Sequence, residues 1–268
     1  MIGGPGGSRT AAGPDDSEID RLARAISQRW SEQLKVPGLP FSHRPANLAE
    51  AYRIQDRALA LSGRDCAGWK LAMTDPASHA RYCIDEPLSG YLLADGMMAS
   101  PACVEAAEFP GGRAIMECEV GLRIGEMPDG EPGTGKKLGA ITAFVAIELP
   151  ALRFADMSAI DGAMFAADNS AAFRAVLGVE VPLAELGDLA DAEVRVEVNG
   201  ALLAASRVID PPLTTLEWLK NHLDRRGANL RLRDVVLTGA LTGIHPLSKG
   251  DHVRATIAGL GVVELDVV

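Results

Sequence analysis

The chain has 268 residues, a formal net charge of −10 at pH 7 and 47% hydrophobic residues, of which few are aromatic. The acidic balance without a basic stripe argues against a nucleic-acid partner, and no apolar stretch is long enough to span a membrane. The four cysteines lack C-x-x-C pairing and zinc-site spacing, so we expect reduced thiols in a cytoplasmic protein.

The composition divides the chain into three parts. Residues 1–16 are rich in Gly and Pro and are predicted to form a disordered leader without the features of a signal peptide. Residues 17–66 form a predicted N-terminal helical segment, and residues 67–268 a β-rich body that would carry the catalytic site. Helices followed by many short strands predict an α+β fold with one main core.

Two helices are predicted in the N-terminal segment. Apolar residues from Ile19 to Trp30 recur at helical spacing, with Ser17 as the expected cap. The second helix is predicted to begin after Asn47 and to stop near Gly63, because an amide side chain favours helix starts and glycine favours helix ends.

Short strands and turns dominate the body of the chain. Asn199-Gly200 between alternating segments is a strong hairpin signal, and Ala258–Gly261 indicates a second tight turn. One further helix is predicted at 213–226, with Gly227 as its stop signal. The candidate strands are 67–73, 115–124, 141–149, 192–198, 201–207, 234–238, 252–258 and 261–267.

The most informative strand carries two carboxylates, Glu117 and Glu119, inside an apolar run. Residues i and i+2 of a strand lie roughly 6–7 Å apart on one face, so both side chains would project together. Two carboxylates on an apolar strand repel each other and resist desolvation unless a cation lies between them. Either the strand is an edge strand with its charged face in water, or the pair binds a divalent cation such as Mg²⁺ or Mn²⁺.

Two further charged residues stand alone in apolar segments. Glu148, in Phe144–Leu149, becomes a candidate third metal ligand if its strand neighbours that of Glu117 and Glu119. Lys70 either extends its ammonium group to solvent or lies near the acids, where it would neutralise charge and hold a substrate carboxylate.

Two other patterns have simpler interpretations. Asp168 and the two residues after it precede an apolar run and are interpreted as a helix cap. Residues 130–137 approach the phosphate-binding G-x-x-x-x-G-K-[ST] pattern, but Lys137 replaces the required hydroxyl residue and the following segment is typical of a strand. We interpret 130–137 as a polar loop between two strands rather than a nucleotide site.

Several segments together resemble the 2-keto-4-pentenoate hydratase family of the fumarylacetoacetate hydrolase superfamily. The resemblance covers about residue 20 to the end in the family's order, and no single motif is diagnostic. The matching segments are Gly68–Thr74, Ile84–Pro87, Met116–Val120, Ala146–Leu149, Ala167–Asn169, Asp234–Leu241 and Lys249–Asp251.

This resemblance implies a fold, a metal site and a partner. The fold would be a mixed β-sheet roll of the fumarylacetoacetate hydrolase C-terminal type with an N-terminal helical segment, assembled as a homo-oligomer. The family's metal ligands fall on Glu117, Glu119 and Glu148, which implies Mg²⁺ or Mn²⁺ as the cofactor. Lys70 would be catalytic, and Lys70, Asp168 and Thr238 would contact a small 2-oxo acid substrate.

The implied reaction is water addition to a 2-hydroxy-2,4-dienoate through its 2-oxo-3-enoate form, in aromatic catabolism. Three positions depart from the family. Leu88 replaces a common acidic residue after Pro87, Leu152 replaces a common serine before Arg153, and Pro211-Pro212 replaces a common His-Pro pair before the last helix. These departures leave two alternatives open. One is a 2-oxo-3-enedioate decarboxylase on the same metal platform, and the other is a non-catalytic 2-oxo-acid-binding paralogue.

Overall fold

The structure is a computed structural model that describes residues 16–31, 44–125, 141–154 and 156–268. The predicted leader, except Asp16, and the predicted polar loop at 130–137 lie outside these ranges. No helix within them is long and apolar enough to cross a bilayer.

Five α-helices lie in the described ranges. The predicted second helix is confirmed: the Oδ1 of Asn47 accepts a hydrogen bond from the N–H of Glu50 at 3.0 Å, and Gly63 ends the helix with φ +63°. The predicted cap Ser17 instead lies inside the first turn of its helix, which already includes Asp16. The helices are α1 Asp16–Ser31, α2 Leu48–Ser62, α3 Pro76–Tyr82, α4 Gly162–Ala167 and α5 Pro212–Arg226.

All eight predicted strands are present, with bounds that agree within one residue at each end. Six short strands were not predicted, because a run of two to six residues without polar alternation carries little periodic signal. The strands are β1 Cys66–Ala72, β2 Leu88–Leu93, β3 Met97–Ala99, β4 Ala102–Val104, β5 Ile115–Ile124, β6 Ile141–Leu149, β7 Arg174–Leu177, β8 Val181–Pro182, β9 Glu193–Val198, β10 Ala201–Arg207, β11 Val235–Leu237, β12 His245–Pro246, β13 His252–Ile257 and β14 Gly261–Val267.

The larger sheet has nine strands, seven of them in the order β2-β1-β11-β5-β6-β7-β3, with β12 added to β5 and β8 to β6. The sheet contains two parallel pairs (β1 with β11, β3 with β7) among antiparallel ones, so it is mixed as predicted. The strand with the carboxylate pair, β5, lies between β11 and β6. The edge-strand interpretation of that segment is therefore wrong.

This sheet curls into a roll. Its end strands, β2 and β3, are joined by only three residues, Ala94–Gly96, so the two ends of the sheet must approach each other. At the junction Gly96 lies against the carbonyl oxygen of Phe173, which an added Cβ would meet at 2.4 Å. The predicted mixed roll is confirmed.

The second sheet has the order β10-β9-β13-β14-β4 and packs through β13 and β14 against β6. The Asn199-Gly200 turn joins β9 to β10, and the turn at 258–260 joins β13 to β14, as the turn residues predict. Strand β9 alternates buried valines with charged residues, so one face of this sheet is buried and the other meets solvent.

Two apolar clusters fill the molecule. The main core lies between the sheets and under the helices, and includes Met116, Cys118, Val120 and Leu122 from one face of β5. The smaller cluster draws all its members from strands of the larger sheet, so that face closes on itself as the inner face of the roll. Its buried members are Leu92, Phe144, Ala146, Ala175, Val235 and Leu237.

Candidate metal centre

Three glutamates meet on the inner face of the roll. Glu117 of β5 lies directly opposite Glu148 of β6, and Glu119 follows two residues along β5 on the same face. One carboxylate oxygen from each residue lies within 4.8 Å of the other two. The strand register therefore brings together three acids that the sequence placed on two different strands.

Lys70 reaches the same cluster from two strands away. It is opposite Leu237 of β11, which is in turn opposite Gly121 of β5, so its side chain points to the inner face. Its Nζ lies 3.1 Å from Oε1 of Glu148, and its side chain is only 2% exposed. The alternative that Lys70 extends to solvent is wrong.

The cluster has an excess of negative charge in a buried place. When all four groups are ionised, three carboxylates and one ammonium carry two net negative charges. Burial raises the pKa of Glu117 to about 7 against the opposing effect of Lys70. Burial, together with the neighbouring carboxylates, raises the pKa of Glu119 well above its usual range.

The same carboxylates oppose the effect of burial on Lys70. Burial alone would lower the pKa of Lys70, but the negative charges of Glu148, Glu117 and Glu119 outweigh it, and the pKa is raised. The amine is therefore held in its charged form by its surroundings.

The donor set fits a divalent cation. Oε1 of Glu119 and Oε2 of Glu148 are buried and make no hydrogen bond, which costs free energy in a protein interior. Carboxylate oxygens are the ligands that Mg²⁺ and Mn²⁺ prefer. Glu117 is only half-buried, so the cluster is open to solvent at its end of the strands. A cation here would satisfy the unpaired oxygens and neutralise the excess charge.

Thr238 and the residue after it contact β5 directly. The hydroxyl of Thr238 donates to the carbonyl oxygen of Val120 at 2.9 Å, and the N–H of Gly239 donates to Oε2 of Glu119 at 2.7 Å. Substrate contact by Thr238 stays a prediction.

Asp168 is buried but does not cap a following helix. It ends α4 and precedes a single 3-10 turn, Asn169–Ala171, but its side chain makes no capping hydrogen bond there, so the interpretation as an N-terminal cap is wrong. Its Oδ2 lies 3.6 Å from Nη1 of Arg153, while its Oδ1 has no hydrogen-bond partner. Burial raises the pKa of Asp168 to about 6 against the opposing charges of Arg153 and Arg29. Its contact with substrate stays a prediction.

The three departures from the family lie on different elements. Leu88 is opposite Ala72, two residues along β2 from the pairing of Gly90 with Lys70, and its fully buried side chain belongs to the main core. Leu152 is half-buried and packs against the main core, and Pro211 and Pro212 stand at the start of α5. Leu88 therefore replaces a potential proton carrier with an apolar side chain on the strand that pairs with that of Lys70.

Sequence reasoning did not find the polar contacts behind β2. The side-chain amide of Asn169 accepts from the N–H of Tyr91 at 2.6 Å and donates to its carbonyl at 2.9 Å. Ser89 Oγ accepts from Arg226 at 2.8 Å and lies 3.1 Å from Nε2 of His222. The one feature of the sequence that could have pointed to these contacts was the position of Asn169 next to Asp168, a buried acid. The other contacts join segments far apart in the chain.

Comparison with known proteins agrees with the geometry. The family described as "Fumarylacetoacetate (FAA) hydrolase C-terminal" matches residues 84–268. A 2-keto-4-pentenoate hydratase from Paraburkholderia phymatum is 27% identical over 93% of this chain and 97% of its own length. The TodF product hydratase from Pseudomonas putida is 30% identical over 81% of this chain and 83% of its own length.

A solved structure has the same fold. The 4-oxalocrotonate decarboxylase from Pseudomonas putida G7, complexed with magnesium and adipate, superposes with a TM-score of 0.81 at 24% identity. The alignment covers 95% of this chain and 99% of the decarboxylase. The chain belongs to the fumarylacetoacetate hydrolase family and, within it, groups with the 2-keto-4-pentenoate hydratases.

Proposed function

We propose that this protein is a divalent-metal-dependent hydratase that adds water to a 2-hydroxy-2,4-dienoate, through its 2-oxo-3-enoate form, in aromatic catabolism. The observation that carries the proposal is the buried cluster of Glu117, Glu119 and Glu148, with Lys70 at 3.1 Å from Glu148. The two hydratase relatives, which align over most of the chain, support the reaction class.

Glu117, Glu119 and Glu148 would hold Mg²⁺ or Mn²⁺ at the inner face of the roll. When bound, such a cation supplies a Lewis acid that stabilises enolate-like charge on the oxygen at C2 of a 2-oxo acid. The substrate enters past Glu117, the half-buried member of the cluster.

Lys70 supplies the positive charge for the substrate carboxylate. Its ammonium group is fixed by the ion pair with Glu148 and has no exposed position to occupy instead. Because the Lys70 side chain is already held in one position, it loses no further conformational freedom when it binds a carboxylate. A donor at a fixed position favours one orientation of the substrate. The apolar side chains of Leu237 and Ala146 on the inner face would exclude water from the hydrocarbon part of the substrate.

A 2-oxo-3-enedioate decarboxylase is the second candidate, and Leu88 is the observation that favours it. Decarboxylation needs the same stabilised enolate but no side chain that delivers water to C4. The side chain at this position of β2, the strand that pairs with that of Lys70, is apolar where the family commonly has an acid. A non-catalytic 2-oxo-acid-binding paralogue would have the same feature.

The test is a direct assay of purified protein with 2-hydroxypenta-2,4-dienoate and either Mg²⁺ or Mn²⁺. We expect the ultraviolet absorbance of the conjugated dienoate to fall, and Glu119→Gln to abolish the change. Release of CO₂ from an unsaturated 2-oxo diacid, without hydration of the dienoate, would support the decarboxylase. A metal-dependent rise in melting temperature with oxalate, without turnover of either compound, would support the binding protein.

The proposal includes a homo-oligomer in the cytoplasm that acts on small 2-oxo acids. Strand β10 is an edge strand with Leu202 and Leu203 exposed and no charged residue from 201 to 206, which favours contact with a second copy. Light scattering coupled to size exclusion should give a mass that is a multiple of 28.2 kDa. A monomer at micromolar concentration would contradict this part of the proposal.

A further inference from the structure

The segment after β11, residues 238–241, crosses β5 beside the carboxylate cluster. We propose that this segment, the strap, determines which oxygen of Glu119 is available to a metal ion. In this assignment the main-chain N–H of Gly239 is a positioning group that holds Oε2 and leaves Oε1 as the ligand. The inference rests on the proposed metal centre.

The strap is attached to β5 on both sides of Glu119. The N–H and the hydroxyl of Thr238 both donate to the carbonyl oxygen of Val120, at 3.2 and 2.9 Å. The N–H of Leu241 donates to the carbonyl oxygen of Cys118 at 2.9 Å. The N–H of Gly239, between these attachments, is thereby held at a fixed position over the side chain of Glu119.

The bond from Gly239 divides the two oxygens of Glu119 into different roles. Oε2 accepts the N–H at 2.7 Å, a distance typical of a hydrogen bond to an ionised carboxylate. Oε1 is buried and makes no hydrogen bond. Since β5 fixes the backbone and the strap occupies Oε2, Oε1 is the oxygen left without a partner and available to a cation shared with the other two carboxylates.

Position 239 requires glycine for two independent reasons. Its φ of +109° is a conformation that residues with a side chain rarely adopt. An added Cβ would also lie 2.8 Å from Oγ1 and Cγ2 of Thr74, the residue that follows the Lys70 strand by two positions. A side chain at 239 would therefore push the strap away from Glu119.

The strap also bonds to the second sheet. Ser206 Oγ, on β10, donates to the carbonyl oxygen of Leu241 at 2.6 Å. This bond holds the far end of the strap in place, so the position of the Gly239 N–H is supported from both sheets. Loss of a hydrogen-bonding partner behind a metal ligand typically reduces metal affinity by about 10–100-fold.

The test measures binding of Mn²⁺ alone to the full chain by calorimetry, together with the electron paramagnetic resonance spectrum of the bound ion. We expect Gly239→Ala to weaken Mn²⁺ binding by about tenfold or more and to change the spectrum. Gly243→Ala is the matched control: its φ is +81°, and nothing lies within 4 Å of its added Cβ. This control should bind Mn²⁺ like the wild type.

Wild-type affinity and spectrum in a folded Gly239→Ala protein would overturn the inference, as would an equal loss of affinity in Gly243→Ala. If Gly239→Ala does not fold, Thr238→Val decides, because it keeps the side-chain shape but removes the hydroxyl bond to Val120. We expect weaker Mn²⁺ binding, and unchanged binding overturns the inference. A wild-type protein that takes up no Mn²⁺ would instead overturn the metal centre on which the inference rests.

Discussion

The chemistry of the site depends on four charged side chains, three of which the fold removes from water. Glu119 and Glu148 are fully buried, and Lys70 is the cation whose charge acts on all three glutamates. Such an arrangement is costly without a counter-ion, because one ammonium cannot compensate three carboxylates. The individual residues are therefore suited to binding a cation rather than to stabilising the metal-free fold.

Lys70→Met should destabilise the metal-free protein and be rescued by metal. The change leaves the buried carboxylates without a cation, and breaking a buried pair in this way typically costs about 3–5 kcal/mol. Urea unfolding at pH 7.5 should show the loss without metal, and saturating Mn²⁺ should restore part of it.

The matched control for this prediction is Lys220→Met. Lys220 pairs with Asp224 on the exposed side of α5 at 3.0 Å, and we expect its loss to cost less than about 0.5 kcal/mol. Equal losses for the two lysine variants, or no metal dependence for Lys70→Met, would show that the cluster is not a buried charge site.

At the scale of elements, the outer edge of β2 is closed by side chains rather than by another strand. Asn169 bonds to both main-chain groups of Tyr91, and Ser170 Oγ donates to the carbonyl oxygen of Ser89 at 2.9 Å. Helix α2 adds Gln55, whose Nε2 donates to the same carbonyl oxygen at 2.9 Å. These contacts hold Gly90, between the two bonded residues, opposite Lys70.

Asn169→Ala should lower the free energy of unfolding by about 2–4 kcal/mol, because two buried main-chain groups of Tyr91 lose their partners. Asn169 also has φ +59°, a conformation that asparagine adopts more readily than alanine. Chemical denaturation with a two-state fit is the measurement.

Asn47→Ala provides the comparison for Asn169, since it removes an exposed cap of α2 and should cost about 1 kcal/mol. If Asn169→Ala lowered the free energy of unfolding no more than Asn47→Ala, other groups would have to form hydrogen bonds with the main chain of Tyr91, and the side chain of Asn169 would not be required at the edge of β2.

At the scale of the whole molecule, α5 is attached to β2 and α2 through a buried histidine and an arginine. His222 lies 3.1 Å from Ser89 Oγ, its ring packs on Trp218 and Tyr52, and Glu86 is 3.9 Å away. Burial, with the charges of Arg226 and Arg225, lowers the pKa of His222 to about 4. Protonation of this histidine therefore opposes the docking of the helix.

This shift predicts a loss of stability on acidification. The unfolded chain binds a proton at His222 near pH 6.5, whereas the folded protein does so only near pH 4. The stabilising contribution of neutral His222 is therefore complete above pH 6.5 and falls as the pH drops from 6.5 to 4. Asp168, whose pKa is raised to about 6, has the opposite effect, because its protonation on acidification stabilises the folded protein. The contribution of His222 is therefore isolated by comparing the wild type with a His222 variant at each pH.

The measurement is the difference in the free energy of unfolding between the wild type and His222→Gln at several pH values. We expect the advantage of the wild type at pH 7 to shrink steadily toward pH 4. An advantage that is independent of pH would mean that His222 titrates normally in the folded protein.

The sequence by itself determined the long elements and the residues that we propose as metal ligands. Strands β5 and β6 and helix α2 begin and end as predicted, because ten or so residues of regular periodicity, with asparagine and glycine at helix ends, are local information. The Glu117 and Glu119 pair shares a face for the same local reason, since alternate residues of any strand do so.

Only the tertiary structure decided what lies next to this pair. The approach of Lys70 to Glu148 depends on the order β1-β11-β5-β6, and that order depends on pairing between segments more than 160 residues apart. The short strands β2 and β7, the end of α4 at Asp168 and the strap over Glu119 were likewise set by contacts across the chain. Periodicity reports which face of a segment is buried, whereas register and packing decide which side chains that face meets.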